Sequence, residues 1–160
     1  MDNLNAVLKK CSGENFKLWD NCHGTRLLEN GDKYVGYFRN GDFNGNGQYI
    51  YKSGSIYEGG NKDGLADGFG TLSFSEGGKY VGYFKKDKYH GKGEFTYKNG
   101  EIYLGHYKNG KKHGKGKYTY KDGSFYEGGY KDGLADGFGT MSFSDGAKYV
   151  GYLKKEKYHG

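Results

Sequence analysis

Between residues 34 and 160, aromatic, glycine and polar positions alternate with a period of two inside short stretches, and these stretches recur every 23 residues. Alternation of that kind predicts strands rather than helices. In YVGYF at 80 to 84, Tyr80, Gly82 and Phe84 fall on one face; in GEFTY at 93 to 97, Gly93, Phe95 and Tyr97 share a face, with Glu94 and Thr96 on the other. Between the two stretches lies a polar segment such as KNGKKHG at 108 to 114, read here as the turn, and each unit closes on an NG, DG or SG dipeptide that turns into the next. Each unit is therefore predicted to be a β-hairpin.

The register is strict. Tyr34, Tyr57, Tyr80, Tyr103, Tyr126 and Tyr149 open successive units, and glycine follows two places later at Gly36, Gly59, Gly82, Gly105, Gly128 and Gly151. Glycine also holds the twelfth position (Gly45, Gly68, Gly91, Gly114, Gly137, Gly160) and the fourteenth (Gly47, Gly70, Gly93, Gly116, Gly139). Glycine weakens a strand interior, so a fixed phase implies a spatial need: a large ring from a neighbouring strand lies flat over backbone without a Cβ. Stacked hairpins then give an all-β fold, an elongated single-layer antiparallel sheet to which each unit adds two strands, or roughly 9.6 Å. Twist is expected to roll this ribbon into a grooved rod. Candidate groove aromatics are Tyr34, Phe38, Tyr57, Tyr80, Phe84, Tyr103, Tyr107, Tyr126 and Tyr130.

Composition agrees with a thin fold. The 160 residues include 32 Gly, 18 Tyr, 10 Phe and no Pro, only 34% are hydrophobic, and mean hydropathy is −0.99. A core of that composition must consist mainly of rings lying against glycine. The net charge of +6 admits an acidic partner without specifying one. No apolar run is long enough to span a bilayer, and MDNLNAVLKK lacks the hydrophobic stretch of a signal peptide, which favours a cytoplasmic location.

The Y-x-G opening, [HND]-G-x-G at the eleventh to fourteenth positions and the [DNSE]-G turn strongly resemble the MORN (membrane occupation and recognition nexus) repeat. The resemblance spans residues 34 to 160 as five full units and a half. It implies a non-catalytic scaffold or interaction module that engages a protein partner or a second copy, and the family's name suggests anionic phospholipid as the alternative. The family often places Trp fifth, where this chain has Phe38, Asn61, Phe84, Tyr107, Tyr130 and Leu153. Ahead of the array, CSGENFKLWDNCHGT is similar to a C…W-x-x-C-x-G segment that precedes such repeats in some exported bacterial proteins. That resemblance implies a Cys11–Cys22 disulfide and an oxidising, exported or periplasmic setting; the competing reading is two buried thiols in the cytoplasm.

The repeat phase continues weakly over residues 11 to 33 through Gly13, Gly24 and Asn30-Gly31, so residues 1 to 33 are read as a cap, with a short helix from Asn3 to Lys10 covering the sheet edge. At the other end the chain stops at Tyr158-His159-Gly160, placed here in the turn of the sixth hairpin. Strand Tyr149, Val150, Gly151, Tyr152, Leu153 then lacks its second half; it is a candidate self-association edge, or the sequence is a fragment. Units three apart match best: KDGLADGFGT occurs at 62 to 71 and at 131 to 140. A block of three was duplicated, either without functional consequence or so that the order of charge serves binding. Units 57 to 79 and 126 to 148 each carry four acidic residues against two lysines, whereas 103 to 125 carries six lysines against Asp122.

Candidate chemistry is sparse. GHYKNGKK at 105 to 112 approaches a phosphate-binding loop, but Lys112 replaces the hydroxyl residue and no helix follows. The DGLADG segments lack the spacing of calcium loops. His90, His113 and His159 share the eleventh position, but adjacent units place them roughly 9.6 Å apart, too far to share a zinc ion, so a turn role is expected. No nucleophile and base stand together outside the repeat, so neither catalysis nor a cofactor is expected. Lys85, Lys86, Lys88, Lys92, Lys108, Lys111, Lys112, Lys115 and Lys117 crowd two adjacent hairpins and form the candidate anionic-surface site, with lipid head groups ahead of nucleic acid.

Overall fold

The computed structural model describes residues 9 to 155 and 157 to 159, the last three through their backbone. Thirteen strands follow one another in chain order within a single sheet, each antiparallel to the next. The first, β1 (Cys22–Leu27), leads into hairpins β2 (Lys33–Arg39) with β3 (Asp42–Ile50), β4 (Ile56–Lys62) with β5 (Leu65–Ser73), and β6 (Lys79–Lys85) with β7 (Lys88–Thr96). Then come β8 (Ile102–Lys108) with β9 (Lys111–Thr119), β10 (Phe125–Lys131) with β11 (Leu134–Ser142), and β12 (Lys148–Lys154) with β13 (Lys157–His159). No second layer covers this sheet among the described residues. The accessible surface is 10688 Å², against about 8,000 Å² for a compact monomer of this mass, as a single layer requires.

The polar turn is far shorter than 108 to 114. Two residues suffice, Asn40-Gly41, Asp63-Gly64, Lys86-Asp87, Asn109-Gly110 and Asp132-Gly133, all with positive φ, the geometry that suits the right-handed twist of a hairpin. Residues 111 to 114 belong instead to β9. His90 and His113 therefore lie on strands β7 and β9 rather than in turns. The register slips in every full unit, for example between Gly82 and Phe84, where one residue of the first strand faces three of the second. This bulge is the [HND]-G-x-G motif, and its glycine has a positive φ, +65° at Gly91.

The opening tyrosine explains the other glycines. Its ring lies over the glycine two places on and over the paired glycine of the next strand, so a Cβ at Gly82 or Gly93 would strike the Tyr80 ring. The covering ring thus comes from the neighbouring strand for Gly93, as expected, and from the same strand for Gly82. Its hydroxyl donates to the carbonyl opposite the bulge: Tyr80 to Tyr83 at 2.9 Å, Tyr103 to His106 at 3.0 Å, Tyr149 to Tyr152 at 3.1 Å. A carbonyl left over by the register slip is satisfied in this way, so tyrosine rather than phenylalanine is required.

At the N-terminal edge, residues 3 to 8 of the expected helix lie outside the described residues, while Lys9 to Cys11 are extended. Lys10 pairs parallel with His23, and the only helix among the described residues is a 3-10 turn, Phe16–Leu18. The degenerate repeat contributes one strand, β1, instead of a hairpin. Cys11 is bonded to Cys22, and Cys11 and Trp19 occupy the space over Gly24 that the opening tyrosine fills elsewhere. The Trp19 ring meets Phe38 edge-on at 4.9 Å, joining the cap to the first unit. At the other end the chain has already turned before Tyr158, and β13 pairs Tyr152 with His159 and Leu153 with Tyr158. Two residues of the expected edge, Tyr152 and Leu153, are thus paired within the sheet.

Candidate functional site

One face of the sheet is aromatic. The nine candidate groove aromatics all lie on it, but every one is buried, with Tyr34, Tyr80 and Tyr103 at 0% exposure. They form the core, and Tyr126 and Tyr130 also line a groove. Fifth-position rings meet opening tyrosines of their own and neighbouring units edge-on, Tyr107 with Tyr80 at 5.3 Å and Tyr130 with Tyr103 at 5.0 Å. Asn61 interrupts the column and is held by the Gly45 and Gly59 carbonyls at 3.2 and 3.0 Å; the rings divide there into two clusters. The buried Tyr107 hydroxyl has no hydrogen-bond partner, and burial pushes its ionisation far above the usual tyrosine range.

What reaches solvent on this face comes from the second strand of each unit and the residue just after it. Tyr118 and Tyr120 pack at 4.8 Å, and Phe95 and Tyr97 at 4.5 Å. An aromatic stands at the eighteenth position of every full unit (Tyr51, Phe74, Tyr97, Tyr120, Phe143), a signal present in the sequence but hidden by assigning the face to the opening strand. Two carboxylates hold this row. Tyr49 donates to Asp32 at 2.7 Å and Tyr118 to Glu101 at 2.5 Å, in units related by the block duplication. The Lys52 amide and then the Tyr49 hydroxyl hold Asp32 below the usual carboxylate range; for Glu101 the Tyr118 hydroxyl is the leading cause.

The tenth position decides where the face opens. Phe43 and Tyr89 stack there on Tyr34 and Tyr80, with ring centroids 4.0 and 3.9 Å apart. In the second, fourth and fifth units the same position holds Ala66, Lys112 and Ala135, and at the last two a groove of ≈ 330 Å³ opens among Lys112, Tyr118, Tyr120, Tyr130, Met141 and Leu153. The Lys112 ammonium lies 4.4 Å from the Tyr118 ring centre and 5.1 Å from that of Tyr103, within cation–π range. The arrangement offers a cation, aromatic edges and apolar walls, suited to holding a peptide side chain.

The nine lysines do not form one patch. Lys112 belongs to this groove. Lys92, Lys115 and Lys117 project from the opposite, open face, whose cross-strand pairs include Lys92 with His106 and Lys117 with Leu104. Lys85, Lys86, Lys88, Lys108 and Lys111 sit at two neighbouring hairpin tips. Among the described residues, no group of three or more His, Cys, Asp or Glu side chains is placed to hold a metal ion, and no helix is long and apolar enough to cross a membrane.

Among solved structures, the chain is similar to the TCP domain of Drosophila melanogaster SAS-4 (dCPAP) in complex with a proline-rich motif of Ana2 (dSTIL), at 18% identity over 79% of this chain and 69% of that one, with a TM-score of 0.47. A second similar structure is the TCP10 domain of Danio rerio CPAP with a peptide of Danio rerio STIL, at 13% identity over 80% and 82% of the two chains, with a TM-score of 0.30. No curated protein matches the chain by sequence. The MORN repeat profile matches five consecutive segments, residues 34–56, 57–79, 80–102, 103–125 and 126–148. With the tyrosine, the paired glycines and the bulge recurring in the same 23-residue phase, the chain belongs to the MORN repeat family.

Proposed function

We propose that the chain is a non-catalytic interaction module that binds an extended segment of a partner protein along its aromatic face. The observation that carries this reading is the groove at Lys112 and Ala135, where no ring stacks on the opening tyrosine as Phe43 and Tyr89 do in the first and third units. Ala135→Tyr tests it, because a ring at this position fills the groove as Tyr89 does in the third unit. Peptides enriched from a displayed random library on the native protein are expected to bind the variant at least about tenfold more weakly, with its melting temperature retained. Peptides that bind both proteins alike would remove the groove as the site.

The lipid alternative rests on the five tip lysines, which occupy two neighbouring hairpin ends. Charge alone gives about 1 kcal/mol per basic residue near an anionic surface. Replacing Lys85, Lys86, Lys108 and Lys111 by Glu should then abolish co-sedimentation with anionic vesicles at low salt while leaving the circular dichroism unchanged. Vesicle binding retained by that variant would discard the tips as the membrane site.

A further inference from the structure

We propose a second binding site on the open face, opposite the aromatic groove: a trough over Gly129 that takes a large apolar side chain from an extended, acidic segment of a partner protein. The site is distinct from the groove and stands or falls separately from it.

The trough exists because of the bulge. Position four of a unit projects onto the open face and carries Tyr37, Tyr83, His106 or Tyr152, but glycine at Gly60 and Gly129. At those two places the carbonyl of Asp67 or Asp136, at the start of the bulge, occupies the space a Cβ would need. The bulge glycines there are turned further, with φ of +107° at Gly68 and +122° at Gly137 against +65° at Gly91. With no side chain at position four, a trough of ≈ 610 Å³ lies over Gly129, and the duplicated region holds one of ≈ 710 Å³ beside Gly59.

The two troughs are copies related by the 69-residue duplication, and they differ at the rim. Phe69 and Phe138 form equivalent walls, 56% and 57% exposed, and Glu58 and Glu127 are equivalent acids. Around them the first trough has His23, Asn46 and Gln48 where the second has Lys92, Lys115 and Lys117. Three cations against one carboxylate make the second trough electropositive. The Lys117 ammonium is held at its rim, 3.9 Å from the centre of the Phe125 ring. Leu104, 56% exposed, forms the wall opposite Phe138.

This combination selects its occupant. Facing apolar walls suit an inserted aliphatic or aromatic side chain, and the lysines suit carboxylates on either side of it. A flat anionic membrane would not use the walls and would meet Glu127. The first trough keeps an equivalent Phe wall and glutamate but has no lysines, so the lysines set the second apart in charge.

The test uses the full chain and a synthetic peptide with one central Phe flanked by glutamates, alongside its lysine-flanked counterpart and anionic vesicles. The acidic peptide is expected to bind in a salt-sensitive manner, with amide chemical-shift changes centred on Leu104, Lys115, Gly129 and Phe138. Exchanging the rim for that of the first trough, Lys115→Asn with Lys117→Gln, should weaken binding roughly tenfold without altering the melting temperature. Phe138→Ala should weaken it similarly, whereas Ala135→Tyr should leave it unchanged. The proposal is overturned if the acidic peptide does not bind at concentrations on the order of 1 mM. Binding indifferent to the rim exchange, shift changes confined to the aromatic face, or binding of vesicles alone would overturn it equally.

Discussion

Raising the pH from 10 towards about 12 will unfold the protein cooperatively, with tyrosinate absorbance and loss of the sheet's circular dichroism rising together. The five opening tyrosines Tyr34, Tyr57, Tyr80, Tyr103 and Tyr126 are at most 2% exposed. Burial is the leading cause that raises the ionisation of all five, to about 12 for Tyr34. In the unfolded chain tyrosine ionises near 10, so above that pH the unfolded state sheds protons that the folded state keeps. Their contribution is fully present below pH 10 and is lost as pH rises through the folded values. One pH unit above 10, each of Tyr34, Tyr57, Tyr80 and Tyr103 removes about 1.4 kcal/mol, together about 6 kcal/mol, comparable to the whole stability of a small domain. Full tyrosinate absorbance reached with the dichroism intact would show that these rings are not closed off from solvent.

Gly93→Val is expected to lower the melting temperature by about 10 °C. A Cβ at this position meets the Tyr80 ring and hydroxyl, and Tyr80 is fully buried with its hydroxyl donating to Tyr83. The ring has nowhere to retreat, since Tyr89 stacks on it and Phe84 and Tyr107 meet it edge-on. Overpacking of this kind costs about 3 kcal/mol, and each kilocalorie corresponds to about 2–4 °C in a chain of this length. Repeat arrays pass such a defect to their neighbours, so the loss should appear in the single unfolding transition. Gly100, by contrast, has open space where its Cβ would be but a φ of +88°, so Gly100→Ala should cost only the backbone strain of one turn. Equal melting temperatures for the Gly93 variant and the native protein would remove the ring-over-glycine account.

Much of the architecture was legible in the residues. The period of two within the period of 23, the fixed tyrosine and the glycine columns led to stacked hairpins in one sheet, and the chain forms that sheet. Other inferences failed for identifiable reasons. KNGKKHG contained its own turn signal, Asn109-Gly110, but the lysines around it read as loop although they belong to strands. The regularity of the opening tyrosines reflects burial, and the groove that Tyr126 and Tyr130 help to line opens where the tenth position carries Lys112 and Ala135 instead of a ring. The expected helix failed at Lys9 and Lys10, which are extended beside β1.

What the sequence determined by itself was local: strand periodicity, the place of the turns and the phase of the repeat, all set by backbone preferences within a few residues of each position. Which face each lysine joins, which glycines serve a ring and which serve a bulge, and where the two faces open were decided only in the tertiary structure. The bulge is the physical reason for the split among the glycines: by placing one residue opposite three it adds two residues to the second strand without changing the alternation of faces, so Gly114 takes up the bulge while Gly105 and Gly116 stay paired beneath the Tyr103 ring. The lysines follow the plain alternation of a continuous strand, with Lys112 and Lys115 on opposite faces.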